Sequence, residues 1–159
     1  MNLGLYLARS ARFWPERPAV LFRDRVLSYR ELEQRSNRLA NALRALGLKR
    51  GDRVAIVSPT RPEIVECECA FYKLGLVKVA LNSRLAPSEL NDAFANAEPV
   101  AVVAGPEHWQ MVDAAAQPLP NAVRRLALDA NRGAPAGWAD YELLLAGADD
   151  ALRCEDMQP

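Results

Sequence analysis

Cysteine, histidine and paired carboxylates are the side chains from which redox, metal or hydrolytic chemistry is built, and this chain spaces them poorly for any of these. Cys67 and Cys69 lie two apart in a helical pattern, which turns them about 200° from each other around the axis. They cannot share a metal ion or bridge one another, and read as small buried hydrophobes. With Cys154 they make three cysteines, a usage that suits a reducing compartment better than a disulfide framework. Glu66 and Glu68 are opposed on the same helix, so they are poor partners for acid–base work. His108 is the single histidine. It stands in a polar segment with no second histidine or carboxylate cluster nearby, so a surface residue is favoured over a catalytic base. No residue is assigned a catalytic, cofactor-binding or metal-binding role.

Phosphate chemistry fares no better. The eight glycines never fall into Gly-x-Gly-x-x-Gly, and no Gly-Lys pair exists for a phosphate loop. Gly-x-Ser-x-Gly, His-Glu-x-x-His and Cys-x-x-Cys are also absent. Where a parallel sheet would offer amides to a phosphate, the chain reads Ser58-Pro59-Thr60-Arg61-Pro62. Its two prolines remove donors that such a cradle needs.

The stretch that would position any site runs from Gly51 to Leu85. An apolar run at 53–58 is followed by a helical segment from about Pro62 to Leu74, closed by Gly75, and a second apolar run at 76–81. This is a strand–helix–strand unit with parallel strands. Neither run alternates with polar residues, so both faces of the sheet are covered. The rhythm repeats with a helix from Pro87 to about Asn96, a strand at 100–104, a helix from Glu107 to Ala116 and a strand at 123–128. Val54, Val77, Val100 and Val123 recur every 23 residues, which fits a strand, a helix and two short loops. The fold class is α/β: an open, mainly parallel sheet with helices on both faces and an N-terminal β-hairpin.

Ahead of the sheet, Leu3 to Phe13 reads as a short amphipathic helix ended by Pro15 and Pro18. Residues 19–22 and 26–27 flank the turn-forming pair Asp24-Arg25, a hairpin signal. Ser28 and Glu31 make a capping box for a helix whose Leu32, Ser36, Leu39, Leu43 and Leu46 stripe faces the sheet. Glu31 to Arg35 is a favourable i,i+4 pair on that helix. Thr60 and Glu63 suggest a second capping box. The helix after it has one apolar face of Ile64, Cys67, Phe71 and Leu74, and another of Val65, Cys69 and Tyr72. Asp129 to Asp140 reads as a loop, Tyr141 to Ala146 as a short helix, and residues beyond it as an exposed acidic tail with no packed end. The expected boundaries are 1–147 for the α/β body and 148–159 for the tail.

Bulk properties set few limits. At 159 residues, half of them hydrophobic, the chain can bury about 68–70% of its unfolded surface. No apolar run approaches the roughly 20 residues of a membrane helix, and the N-terminus lacks the basic region of a signal peptide, so the default location is cytoplasmic. Net charge is zero, yet residues 1–84 hold 16 Lys/Arg against 8 Asp/Glu and residues 85–159 hold 4 against 12. The simpler reading is two halves that face each other or carry solvated surfaces. The sharper one is a basic surface that meets a phosphate-bearing ligand. Nucleic acid is disfavoured, because no recognisable binding motif accompanies the charge.

Several segments, in order and spacing, resemble the start of the AMP-forming acyl-CoA synthetases, the superfamily that also holds luciferases and the adenylation domains of peptide synthetases. They are Pro15-Glu16-Arg17-Pro18-Ala19-Val20, Leu27-Ser28-Tyr29-Arg30-Glu31-Leu32, and the run from Leu46 to Ile56. Ala70 to Gly75, Asn82-Ser83-Arg84-Leu85 and Ser88-Glu89-Leu90 extend the series. The resemblance covers about residues 3 to 105. Asn82-x-Arg84 leans toward fatty or aryl acid–CoA ligases. Thr60 and Ala86 depart from the family's common Asn and Ser/Thr, and Ala86 weakens its helix start by about 1 kcal/mol.

The resemblance implies a ligase that uses ATP, Mg²⁺ and CoA to activate a carboxylic acid as its acyl-adenylate and then form a thioester. It also implies that the Ser/Thr/Gly-rich phosphate loop, the metal-binding Glu and the adenylation Lys lie downstream of this sequence. The chain then stands as an N-terminal fragment, inactive alone, with the remainder of the same polypeptide as its partner and a homodimer as an option. Arg84 is a candidate for a phosphate of CoA, with a surface or capping arginine as the plainer reading. Phe71 and Tyr72 are candidates for the acyl wall, with core packing as the plainer one. The competing class is a stand-alone, non-enzymatic α/β interaction module.

Overall fold

The computed structural model describes residues 2–119 and 123–154, which fall into two compact units. The first gathers residues 1–51, 60–76 and 144–159, and the second residues 52–59 and 77–143.

The second unit holds a five-stranded parallel sheet. Its strands are β3 (Arg53–Val57), β4 (Val77–Ala80), β5 (Ala101–Ala104), β6 (Arg124–Ala127) and β7 (Trp138–Asp140), in the order β4-β3-β5-β6-β7. The four apolar runs are therefore strands of one parallel sheet. In register, Val54 stands beside Lys78 on one side and Ala101 on the other, and Ala101 beside Arg124. Every residue of 54–57 and 101–104 is buried, as strands covered on both faces must be. The same expectation for the run at 76–81 is corrected: β4 is the edge strand, and its Val77, Lys78 and Ala80 are exposed. Helices α4 (Pro87–Ala97) and α5 (Trp109–Ala116) pack against each other. Leu90 and Phe94 from α4, with Trp109 and Val112 from α5, close a core on Ala55, Val57, Val102 and Ala104.

The expected loop at 129–140 is corrected. It contains a 3-10 turn at Ala130–Arg132 and the fifth strand, β7, paired in parallel with β6 through Arg125 and Trp138. Three residues carry too little local propensity to announce a strand. Tertiary contacts hold this one: the Trp138 indole donates to the Asp113 carboxylate at 3.1 Å, and its ring packs tilted against Trp109 with centres 6.1 Å apart. The helix expected from Glu107 opens as a 3-10 turn at Pro106–His108 before α5 begins.

The first unit holds α1 (Gly4–Phe13), a hairpin of β1 (Pro18–Phe22) and β2 (Arg25–Ser28), α2 (Tyr29–Ala45) and α3 (Pro62–Leu74). The capping box at α2 forms as read. Ser28 Oγ accepts from the Glu31 amide, and the Glu31 carboxylate accepts from the Ser28 amide at 2.8 Å. Those bonds hold the Glu31 carboxyl below its ordinary range. Gly47 adopts a φ of 87°, and the Leu48 amide reaches back to the Leu43 carbonyl, closing the helix by a left-handed cap. Gly75 does the same for α3 at a φ of 66°.

The second capping box does not form. Arg61, not Thr60, occupies the cap position of α3, and its side chain does not cap the helix. Glu63 instead receives Arg25 at 2.7 Å and Arg61 at 2.9 Å. Burial alone would raise its carboxyl; the two guanidiniums outweigh that and hold it below 4.5. A lowered folded value means its contribution is complete above pH 4.5 and is lost as pH falls through the folded value. Glu63→Gln therefore flattens the acid limb of stability, measured by urea unfolding at a series of pH values below 5.

The polar side of α3 is the larger surprise. Glu66 and Lys73 are wholly buried, whereas Tyr72, expected to be covered, is exposed. Glu66 forms a two-pronged pair with Arg35, Nε to Oε1 at 2.7 Å and Nη2 to Oε2 at 3.0 Å, while the Arg35 charge also helps to lower the Glu31 carboxyl, as their i,i+4 spacing suggests. Lys73 Nζ donates to Glu33 Oε2 at 2.8 Å, Ser36 Oγ at 2.7 Å and Asn37 Oδ1 at 2.6 Å. Burial pulls the Lys73 amine below its usual value, against the opposing pull of Glu33. The segment after α6 (Tyr141–Ala146) is exposed yet tied down. Asn41 Nδ2 donates to the carbonyls of Asp149 and Ala151, Asn37 to that of Asp150 and Arg44 to that of Arg153. The tail therefore does have a packed stretch; residues 155–159 lie outside the described residues.

Candidate functional site

In an open parallel sheet, ligands collect at the carboxyl ends of the strands, where the strand order reverses. Here β3 has β4 on one side and β5 on the other, so the reversal falls at Ser58 and Gly105. The turns around it are stitched together. The Gly105 amide donates to the Val57 carbonyl at 3.2 Å, and the His108 amide to Gly105 at 3.0 Å. His108 Nε2 donates to the Ser83 carbonyl at 2.8 Å, because only a protonated ring nitrogen can satisfy a carbonyl oxygen. Asn82 folds its own turn: Oδ1 accepts the Arg84 amide at 2.9 Å, and the Asn82 carbonyl accepts the Leu85 amide at 3.2 Å. Glu89 caps α4 from one side only, accepting the Ala86 amide at 2.7 Å, since alanine has no oxygen to return the bond.

His108 is thus buried, and the expectation of a surface histidine is corrected. The polar look of Glu107-His108 hid it; the adjacent Trp109, whose indole donates to the Ala104 carbonyl, was the available sign of a turn folded onto the sheet. His108 Nδ1 has no hydrogen-bond partner among the described residues, and a carboxylate oxygen of Glu107 lies 4.0 Å away. Its bond to the Ser83 carbonyl makes the ring a tie that orders the turn. Ser58 Oγ donates to the neighbouring Pro59 carbonyl. Arg84 is exposed at the rim, its backbone fixed by the Asn82 turn.

The other candidates are not gathered here. Phe71 is a core residue of the first unit. Cys67 is buried, Cys69 and Cys154 partly so, and none is in a disulfide. Burial pushes the Cys69 thiol up to about 11. Its alkylation at pH 8 should run roughly a hundredfold slower than that of a free cysteine, read as peptide mass after iodoacetamide. Among the described residues no cluster of three or more His, Cys, Asp or Glu could hold a metal ion. No helix among them is long and apolar enough to cross a membrane.

The fold is that of the acid–CoA ligases. It superposes with a TM-score of 0.90 on an anthranilate CoA ligase solved with anthranoyl-AMP, at 20% identity, over 98% of this chain and 30% of that one. An ATP-bound MatB from Rhodopseudomonas palustris matches at 0.81 and 29% identity, over 99% and 30%. Residues 7–148 match the AMP-binding enzyme family, and the chain belongs to it. A feruloyl-CoA synthase of Amycolatopsis is 41% identical over 115 residues, 72% of this chain and 23% of its own. An indoleacetate–CoA ligase of Aromatoleum aromaticum is 34% identical over 152 residues, 96% and 29%. The chain spans roughly a quarter of the length of these relatives.

Proposed function

We propose that this chain is the N-terminal part of an AMP-forming acid–CoA ligase that activates a carboxylic acid with ATP and passes the acyl group to CoA. The observation that carries the reading is the family match over residues 7–148 by a chain that covers only 23% and 29% of the CoA-ligase relatives. Residues 1–147 serve as its first α/β body, and 148–159 lead toward the rest.

ATP and Mg²⁺ need amide donors and a carboxylate set. The Ser58–Pro62 turn has lost two amides to proline, and the described residues offer no metal cluster. The residues present do not fit the nucleotide or its metal, so no chemical step is assigned to them. Arg84 is the group in this chain best placed for a ligand, an exposed cation on a fixed turn beside the strand reversal. It suits a phosphate of CoA, completed by residues the chain does not contain.

The test is pyrophosphate–ATP exchange over short, long and aromatic acids. Purified 1–159 should give background exchange only, and the polypeptide extended past Pro159 should be active. Turnover by 1–159 overturns the reading, as does an extended protein with no exchange on any acid, the outcome for an interaction module. Millimolar CoA or ATP should leave the melting temperature of 1–159 unchanged, because a lone rim arginine binds too weakly to shift it.

A further inference from the structure

We propose that the outer face of α1 is a docking surface for an anionic lipid bilayer. Leu5, Tyr6, Arg9, Arg12 and Phe13 fall within an arc of about 120° on the helix, and all five are exposed. Trp14 follows as the residue that ends the helix, beside Phe13. The exposures are large for apolar side chains: 48% for Leu5, 51% for Tyr6, 58% for Phe13 and 50% for Trp14. The aromatic and cationic groups are gathered together. The Arg9 guanidinium lies 5.9 Å from the Phe13 ring centre, and the Phe13 and Trp14 rings are 6.1 Å apart.

The inner face of α1 is already occupied. Gly4 sits so close to α3 that an added methyl would fall 2.5 Å from Lys73 Cγ. The Asn2 side chain donates to the Lys73 carbonyl and accepts from the Gly4 amide. The helix is pinned on one side and presents leucine, aromatics and arginine on the other.

That combination selects the occupant. Leucine, tyrosine, phenylalanine and tryptophan enter the headgroup boundary, and arginine stems snorkel to the phosphates. Gly4–Phe13 contains no acidic residue, and the nearby Glu16 is matched by Arg30 at 2.6 Å, so nothing on the face repels an anionic surface. A second copy fits worse, because a two-fold contact centred on this face brings Arg9 close to its own image. The proposal concerns surface binding and requires no spanning helix.

The experiment is co-sedimentation of 1–159 with vesicles of phosphatidylcholine alone or with phosphatidylglycerol added, read alongside tryptophan emission. The expected result is binding to the mixed vesicles only, a blue shift that Trp14→Phe abolishes, and release by high salt. Arg9→Gln with Arg12→Gln should lower partitioning on the order of 25-fold, and the paired lysine substitutions should retain it. All these positions are exposed, so unchanged circular dichroism and melting confirm that the variants fold. Absence of binding, equal binding to both vesicles, or binding indifferent to the arginine substitutions overturns the proposal. So does a Trp14-dependent dimer that ignores vesicles.

Discussion

Replacing Lys73 by methionine lowers the stability of this protein by about 3–5 kcal/mol, with a fall in melting temperature of roughly 10 °C. The size follows from what is left behind. Lys73 is fully buried and is the donor to Glu33, Ser36 and Asn37 at once. Methionine fills nearly the same volume but supplies no proton, so a largely buried carboxylate and two polar oxygens lose their partner. A second substitution separates charge from packing. Lys73→Met with Glu33→Gln should recover part of the loss, because the stranded charge is gone. Urea unfolding of the four proteins in the double-mutant cycle measures the coupling. A loss below about 1 kcal/mol for the single substitution contradicts the buried-pair account.

The second large effect belongs to the other unit. Phe94→Ala should cost about 3–5 kcal/mol, because Phe94 is fully buried in the core formed by α4, α5 and the sheet. Two tryptophans of that unit, Trp109 and Trp138, pack with ring centres 6.1 Å apart, and their emission reports its unfolding. The expected result is a lower urea midpoint in fluorescence with the slope preserved. An unchanged midpoint would show that Phe94 is not packed as described.

The frame of this fold was legible because it is written in apolar periodicity. Four apolar runs that become strands, Ser28 with Glu31, and glycines 47 and 75 each state a local rule that the structure follows. The covering of both faces expected of the run at 76–81 fails at the edge strand β4. What was illegible depends on distant partners. The buried partners of Glu66 and Lys73 on α3 are among them, since neither Arg35 nor the Glu33-Ser36-Asn37 group can be matched to them from spacing. Likewise, the three-residue β7 exists through its pairing with β6 and the Trp138–Asp113 bond. His108 misled because one neighbour is polar, while its decisive partner, the Ser83 carbonyl, lies 25 residues away. The candidate site was legible mainly as missing motifs. The Asn82 turn that presents Arg84 emerges only once the loops are folded.

The ties from Asn37, Asn41 and Arg44 to residues 149–153 also set an order of events during synthesis. The first unit takes its opening 51 residues from the start of the chain and its last described ones from Leu144 to Cys154. At about 5–20 residues per second, the ribosome needs roughly 5–20 s to make the intervening stretch. For that interval α2 waits without the carbonyls of residues 149–151 that Asn37 and Asn41 bind, although it was made early. Every segment of the second unit, by contrast, has been translated once Leu143 is added. The sheet made later can therefore close first, and the part of the molecule that leads the sequence finishes last.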